Sequence, residues 1–300
     1  MVITGGSRSL GLAIARQLAS EGARLALLAR DNDELERAKQ ELSAKTQVFT
    51  TSCDVRERNQ VQKAIQQVLQ EFGRIDILIN NAGTIEVGPV ENMQVEDFDD
   101  ALATHLWGPL FTILEVSPIM KRQGGGRIVN IASIGGRIAV PHLVPYSASK
   151  FALVGLSDGM RAELSKDHIT VTTVSPGLLR TGSPPNAFYK GRHSEEYAWF
   201  SISDNLPLVS ISAERTAAQI IEACKLGQPE LTVTLVARLG VIMNTLFPNL
   251  IARLTVLEDR FLPKPTGSEG NKLKTGWESQ AAPTPSPLAN PATQELNEVK

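Results

Sequence analysis

The first eleven residues restrict the fold more than any other stretch of the chain. Val2 and Ile3 are apolar and β-branched, residues 4–11 read TGGSRSLG, and LAIARQLASEG follows with helical apolar spacing up to Gly22. A strand that turns through glycine into a helix can cradle a phosphate. The helix N-terminus offers unpaired N–H groups and a partial positive charge, and glycine lets the backbone approach a pyrophosphate closely. Many α/β proteins use such a turn for sterics alone, and its place directly after a strand is what favours the phosphate reading. That first strand has almost no length before Thr4, so it is either short or begins upstream.

The rest of the chain repeats the alternation. Strands are expected at 24–29, 47–51, 75–79, 127–131, 169–174 and 231–236. Helices are expected at 31–42, 57–72, 95–122 with an interruption near Gly108 and Pro109, from Tyr146 onward, and at 213–225. Asp31, with Glu34 three residues later, reads as an aspartate N-cap. Alternating strands and helices imply an α/β fold, a parallel doubly wound sheet with ligands at the carboxyl ends of its strands. One domain is expected over 1–237. Residues 238–262 read as an amphipathic helical extension broken by Pro248, with no uninterrupted apolar run of the ~18 residues a membrane span needs. Docking on the domain or on a partner subunit is the favoured role of that extension, and peripheral membrane contact is the competing one. The last 38 residues hold six prolines and read mostly as disordered or extended.

With 42% hydrophobic residues the chain can bury a full core, and a formal charge of −2 gives no electrostatic reason to expect nucleic acid or an anionic membrane as partner. The two cysteines, Cys53 and Cys224, make neither a disulfide framework nor a metal cluster, so no metal is expected and a reducing compartment fits. A small soluble substrate and a cytoplasmic location are the expectation, because no export signal opens the chain.

Residues 127–150, RIVNIASIGGRIAVPHLVPYSASK, carry the chemistry. Ser133 falls where a buried strand ends, and Tyr146 and Lys150, four apart, share one helix face. An ammonium near a phenol favours the phenolate, which makes tyrosine a usable proton donor and acceptor. A tyrosine and a lysine at this spacing also occur without any chemistry, so context decides.

That context resembles the short-chain dehydrogenase/reductase family, from residue 1 to about 181. Ser133 and the Tyr146-x-x-x-Lys150 pair match its catalytic constellation, and Thr4, Gly5 and Gly11 match its glycine motif, with Ser9 in place of the middle glycine. The resemblance implies a Rossmann-type sheet and an oxidoreductase that moves hydride between a nicotinamide and a carbonyl or secondary alcohol carbon. Tyr146 would exchange the proton, Lys150 would hold the ribose and tune Tyr146, and Ser133 would orient the substrate oxygen. It assigns cofactor contacts to Thr4, Gly5, Ser7, Arg8, Ser9, Leu10 and Gly11, to Asp54 and Val55 under the adenine, and to Asn80, Asn81, Ala82 and Gly83. Pro176, Gly177 and Thr181 would serve the nicotinamide, with Tyr146 and Lys150 at the ribose. His105 stands where the family has an active-site asparagine, and could serve a water-linked proton relay with an ionisation near neutrality, or be a tolerated polar residue.

Arg30 at the end of the second strand, with Arg8, favours NADP(H) by accommodating a 2′-phosphate, whereas Asp31 read as a ribose ligand would favour NAD. The competing functions are therefore an NAD-preferring alcohol dehydrogenase and a silent nucleotide-binding sensor or scaffold. Five aromatics between Phe188 and Phe200 lie in the substrate segment, 182–212, as an apolar lid or as ordinary packing. The family also implies a homodimer or homotetramer built through the long helix and the Tyr146 helix.

Overall fold

The computed structural model describes residues 1–180, 182–204 and 210–280. Among them, seven parallel strands form the central sheet: β1 (Val2–Thr4), β2 (Leu25–Ala29), β3 (Val48–Ser52), β4 (Ile77–Asn80), β5 (Gly126–Ile131), β6 (Ile169–Ser175) and β7 (Glu230–Thr232). Their order is β7-β6-β5-β4-β1-β2-β3, so the direction of winding reverses between β1 and β4 and leaves a crevice at their carboxyl ends. The helices of eight residues or more are α1 (Ser9–Ser20), α2 (Asn32–Ser43), α3 (Arg58–Phe72), α4 (Val95–Leu102), α5 (Gly108–Arg122), α6 (Val144–Leu164), α7 (His193–Asp204), α8 (Ala213–Leu226), α9 (Leu235–Leu246) and α10 (Pro248–Asp259).

Helices cover both faces of the sheet, which is why its strands read as apolar runs rather than as alternating ones. On one face Ile3, Leu25, Leu27 and Val129 pack against Ile14 and Leu18 of α1, Leu35 of α2 and Ile220 of α8. On the other, Val2, Leu28, Leu78 and Ile128 meet Val61 and Ile65 of α3 and Val116 of α5. Asp31 does cap α2, accepting from the Glu34 N–H at 3.0 Å.

Three expectations need correcting. β7 ends at Thr232 because the Thr234 hydroxyl accepts from the Ala237 N–H and starts α9 at Leu235, inside the stretch read as strand and ahead of the expected boundary at 237. The helix expected over 95–122 breaks one turn before Gly108: residues Ala103–Trp107 form a π-helical turn between α4 and α5. Part of the proline-rich tail is folded. Lys274–Thr275 pairs antiparallel with Phe188–Tyr189, which also pairs with Glu86–Val87, and Asn92 bonds to Thr266, Gly267 and Asn271. Residues 281–300 lie outside the described residues.

The described part of the segment 182–212 packs on the domain. Tyr189 is fully buried and gives its hydroxyl proton to the Pro184 carbonyl at 2.9 Å. Val87, Leu143, Ala187, Tyr189 and Phe200 form a separate small core, with Tyr146, Tyr197 and Trp199 packed against it. The aromatics Tyr189, Tyr197, Trp199 and Phe200 therefore pack as core.

Candidate active site

At the first turn, sterics dictate the sequence. Gly5 has φ +62°, and a Cβ there would stand 2.9 Å from the Ala82 Cα; at Gly11 it would stand 2.0 Å from the Gly5 carbonyl oxygen. The Thr4 hydroxyl accepts from the Asn81 and Ala82 N–H groups, and the Asn81 amide donates to the Thr4 and Gly5 carbonyls. Thr4 and Asn81 thus hold the glycine turn against the end of β4, while the buried Leu10 anchors α1 in the core. Arg8, the N-cap residue of α1, makes no side-chain capping bond, which suits a phosphate acceptor there. Ser9 adopts φ +49°, a conformation natural to the glycine it replaces.

The adenosine end differs from expectation. Arg8 is engaged by Glu34 at 2.9 Å, and the Ser7 hydroxyl donates to the other Glu34 oxygen at 2.8 Å. Arg30 is exposed at the end of β2. Asp54 is gripped by Arg56; burial works against the charged carboxylate, but the hydrogen bonds and charge of Arg56 outweigh it and hold the Asp54 carboxyl below its ordinary value. Val55 backs Gly108, where a Cβ would come within 3.0 Å of it.

At the centre of the sheet Asn80 turns inward rather than toward a ligand. Its amide donates to Asn130 Oδ1, its oxygen accepts from Thr112, and Asn130 donates onward to Ser157. This buried chain ties β4 and β5 to α5 and α6.

The carboxyl end of β5 and the start of α6 bring Ser133, Tyr146 and Lys150 together. Gly135 lies between Ser133 and Tyr146: a Cβ on it would be 3.2 Å from Tyr146 Cε1 and 3.5 Å from Ser133 Oγ. The Ser133 hydroxyl accepts from the Gly135 N–H. Lys150 is 4% exposed, donates to the Ile131 carbonyl at 2.9 Å and lies 5.6 Å from the centre of the Tyr146 ring. Burial pulls its ammonium down to about 7. Across the crevice the Pro176 carbonyl accepts from Ile134, and Gly177 lies beneath Thr234 and Ala237 at the start of α9. Thr181 lies outside the described residues.

The π-helical turn carries His105 inward, edge-on to Tyr146 at 5.5 Å between ring centres. Its Nε2 accepts from the Thr84 N–H, so Nδ1 carries the proton and donates to Ser149, whose hydroxyl donates to the Tyr146 carbonyl. Both ring nitrogens are engaged. Burial, aided by the Lys150 charge, holds its pKa well below the ordinary histidine value, which opposes an ionisation near neutrality.

The family model for short chain dehydrogenases matches residues 1–188. The chain belongs to this family. A 3-oxoacyl-acyl-carrier-protein reductase of Staphylococcus epidermidis is 36% identical over 180 residues, 59% of this chain and 74% of that protein. Among solved structures, an actinorhodin polyketide ketoreductase variant with NADPH superposes with a TM-score of 0.69 at 30% identity, over 78% of this chain and 94% of its own. An NAD+-bound xylitol dehydrogenase gives 0.68 at 25% identity, over 77% and 96%.

For a short-chain dehydrogenase, two groups at this site had escaped the sequence reading. In the sequence Glu34 reads only as part of a helix start, because its bonds to Ser7 and Arg8 span 27 and 26 residues. Ser149 left no signal at all; it lies between two residues already singled out and looked like helix filler.

Proposed function

We propose that the protein is an NADP(H)-dependent carbonyl reductase acting on an apolar substrate. The observation that carries this reading is the buried Lys150 beside Tyr146, with Ser133 against the same glycine. Bound NADPH would supply hydride to the carbonyl carbon. Tyr146 gives its proton to the forming alkoxide, Ser133 orients the carbonyl oxygen, and Lys150 spends one donor on Ile131 and keeps two for the ribose. His105 is a positioning residue that fixes the backbone at Tyr146 through Ser149.

The α1 N-terminus and the two sterically required glycines fit a pyrophosphate, with Ser7, Ser9 and Leu10 in the same turn. Asp54, Val55, Ala82 and Gly83 would flank the adenosine, and Pro176 and Gly177 the nicotinamide. Asn80 and Thr4 would act indirectly, by holding those loops. Arg30 supports a 2′-phosphate, and Asp31 is spent as a cap. An NAD preference is the second reading. The Glu34 carboxylate at Arg8 favours it, since it both occupies that cation and opposes a phosphate. The apolar cluster reaching Tyr146 supports an apolar substrate. Exposed Trp107, Leu114 and Phe151, beside or on α5 and α6, support a homo-oligomer.

The test is consumption of NADPH and of NADH with a panel of lipid-like, steroid-like and small polar ketones. Turnover that prefers NADPH and lipid-like ketones is expected, with Arg30→Ala weakening NADPH selectively. Binding of nucleotide without turnover of any ketone would instead mark a sensor.

A further inference from the structure

The hairpin of α9 and α10 presents more apolar surface than the domain requires. Twelve of the twenty-two exposed large hydrophobic residues among the described residues lie between 235 and 261, including Leu239, Ile242, Leu246, Phe247, Leu254 and Phe261. Scattered single residues of this kind are ordinary, whereas a contiguous set marks a binding surface.

The inner side of the hairpin is already used. Asn244 donates to the Arg137 carbonyl at 3.0 Å, Gly240 lies on Ile138, Thr234 and Ala237 lie on Gly177, and Asp259 comes within 3.8 Å of His142. These contacts border the crevice that holds Ser133 and Tyr146, so the outer side faces away from the domain at its mouth.

We propose that this outer side docks on an anionic lipid bilayer. Each helix has 12 residues, or about 18 Å of length against the roughly 30 Å of a hydrocarbon core, and the two meet at a 118° bend. No single helix among the described residues is long and apolar enough to cross a membrane; the two reach that length and composition only together, and their sharp bend lays them along the interface rather than across it. Charge selects the lipid. Residues 235–264 carry Arg238, Arg253, Arg260 and Lys264 against Glu258 and Asp259, in a chain whose formal charge is −2, and Asp259 is turned toward His142. On α10, Val256 and Leu257 share an open groove with Arg253 and Arg260, an arrangement of apolar floor and guanidinium rim that fits acyl chain below and anionic headgroup above. A second copy of the chain has a different apolar face available around α5 and α6. Docking would open the crevice at the lipid surface; this consequence rests on the reading of Ser133, Tyr146 and Lys150 as the reactive site.

Flotation with vesicles tests the proposal, using equal parts phosphatidylcholine and phosphatidylglycerol against phosphatidylcholine alone. The protein should float with the mixed vesicles and much less with the neutral ones. Leu246→Glu combined with Leu250→Glu should lower the bound fraction roughly tenfold or more, the scale of withdrawing two large side chains from an apolar phase, with melting temperature and NADPH binding unchanged. Arg253→Gln with Arg260→Gln should remove the preference for anionic vesicles. Failure of the native protein to float with mixed vesicles overturns docking, as does equal flotation of the double glutamate variant. So does light scattering that finds the glutamates dissolving an oligomer while vesicles stay unbound. NADPH turnover is measured separately, so docking and catalysis fail independently.

Discussion

Ser9 sits at φ +49°, where an L side chain costs about 1–2 kcal/mol. Glycine would relieve that strain and return part of it as chain entropy, so Ser9→Gly should stabilise the protein by about 0.5–1 kcal/mol in urea unfolding. Lys150 makes a second prediction. Burial lowers it from 10.5 to about 7, so between those values the unfolded chain binds a proton that the folded chain does not, and unfolding free energy rises with pH. Cys53 and Cys224, pushed by burial from 9.0 to about 11, oppose this above pH 9. From pH 7 to 9, the nucleotide-free native protein should therefore gain about 1.4 kcal/mol per pH unit relative to Lys150→Met; parallel curves would contradict the burial argument. His105 stays neutral, so His105→Asn should leave the ionisations of the rate profile in place. Its rate should fall about tenfold through misplacement of Tyr146.

At the level of elements, α7 is tied to the loop before α6 by a buried carboxylate. Glu196 is fully buried, bonds to His142 Nδ1 at 2.9 Å and accepts from the Trp199 indole at 2.6 Å. Glu196→Ala leaves both donors without that partner and should cost about 2–4 kcal/mol. Amide exchange should speed up in α7 and at residues 140–146 before it does in the sheet, and a uniform change would mean that this small core is not a separate unit. The central strands were legible because burial on both faces makes them plain apolar runs, and α2 because Asp31 is a local cap. The start of α9 was not, since Val233 and Val236 favour a strand and only the Thr234 cap overrides them. Nor was the folded part of the tail, whose partners Asn92 and Phe188–Tyr189 lie far back in the chain.

Over the whole molecule, the order of the strands gathers the glycine turn, the β4 loop, Ser133 and Gly177 at one crevice although they span more than 170 residues. That Ser133, Tyr146 and Lys150 come together could be read from spacing and family resemblance. The competition at the adenosine end could not, because it depends on which cation Glu34 meets in space. Glu34→Gln should free Arg8 and tighten NADPH about tenfold relative to NADH, measured as two dissociation constants. The central claim is that Tyr146 moves the proton in a carbonyl reduction. Tyr146→Phe keeps the ring and deletes the hydroxyl, so ketone-dependent NADPH oxidation should be lost while the NADPH dissociation constant changes less than about threefold. Full turnover in that variant would contradict the account.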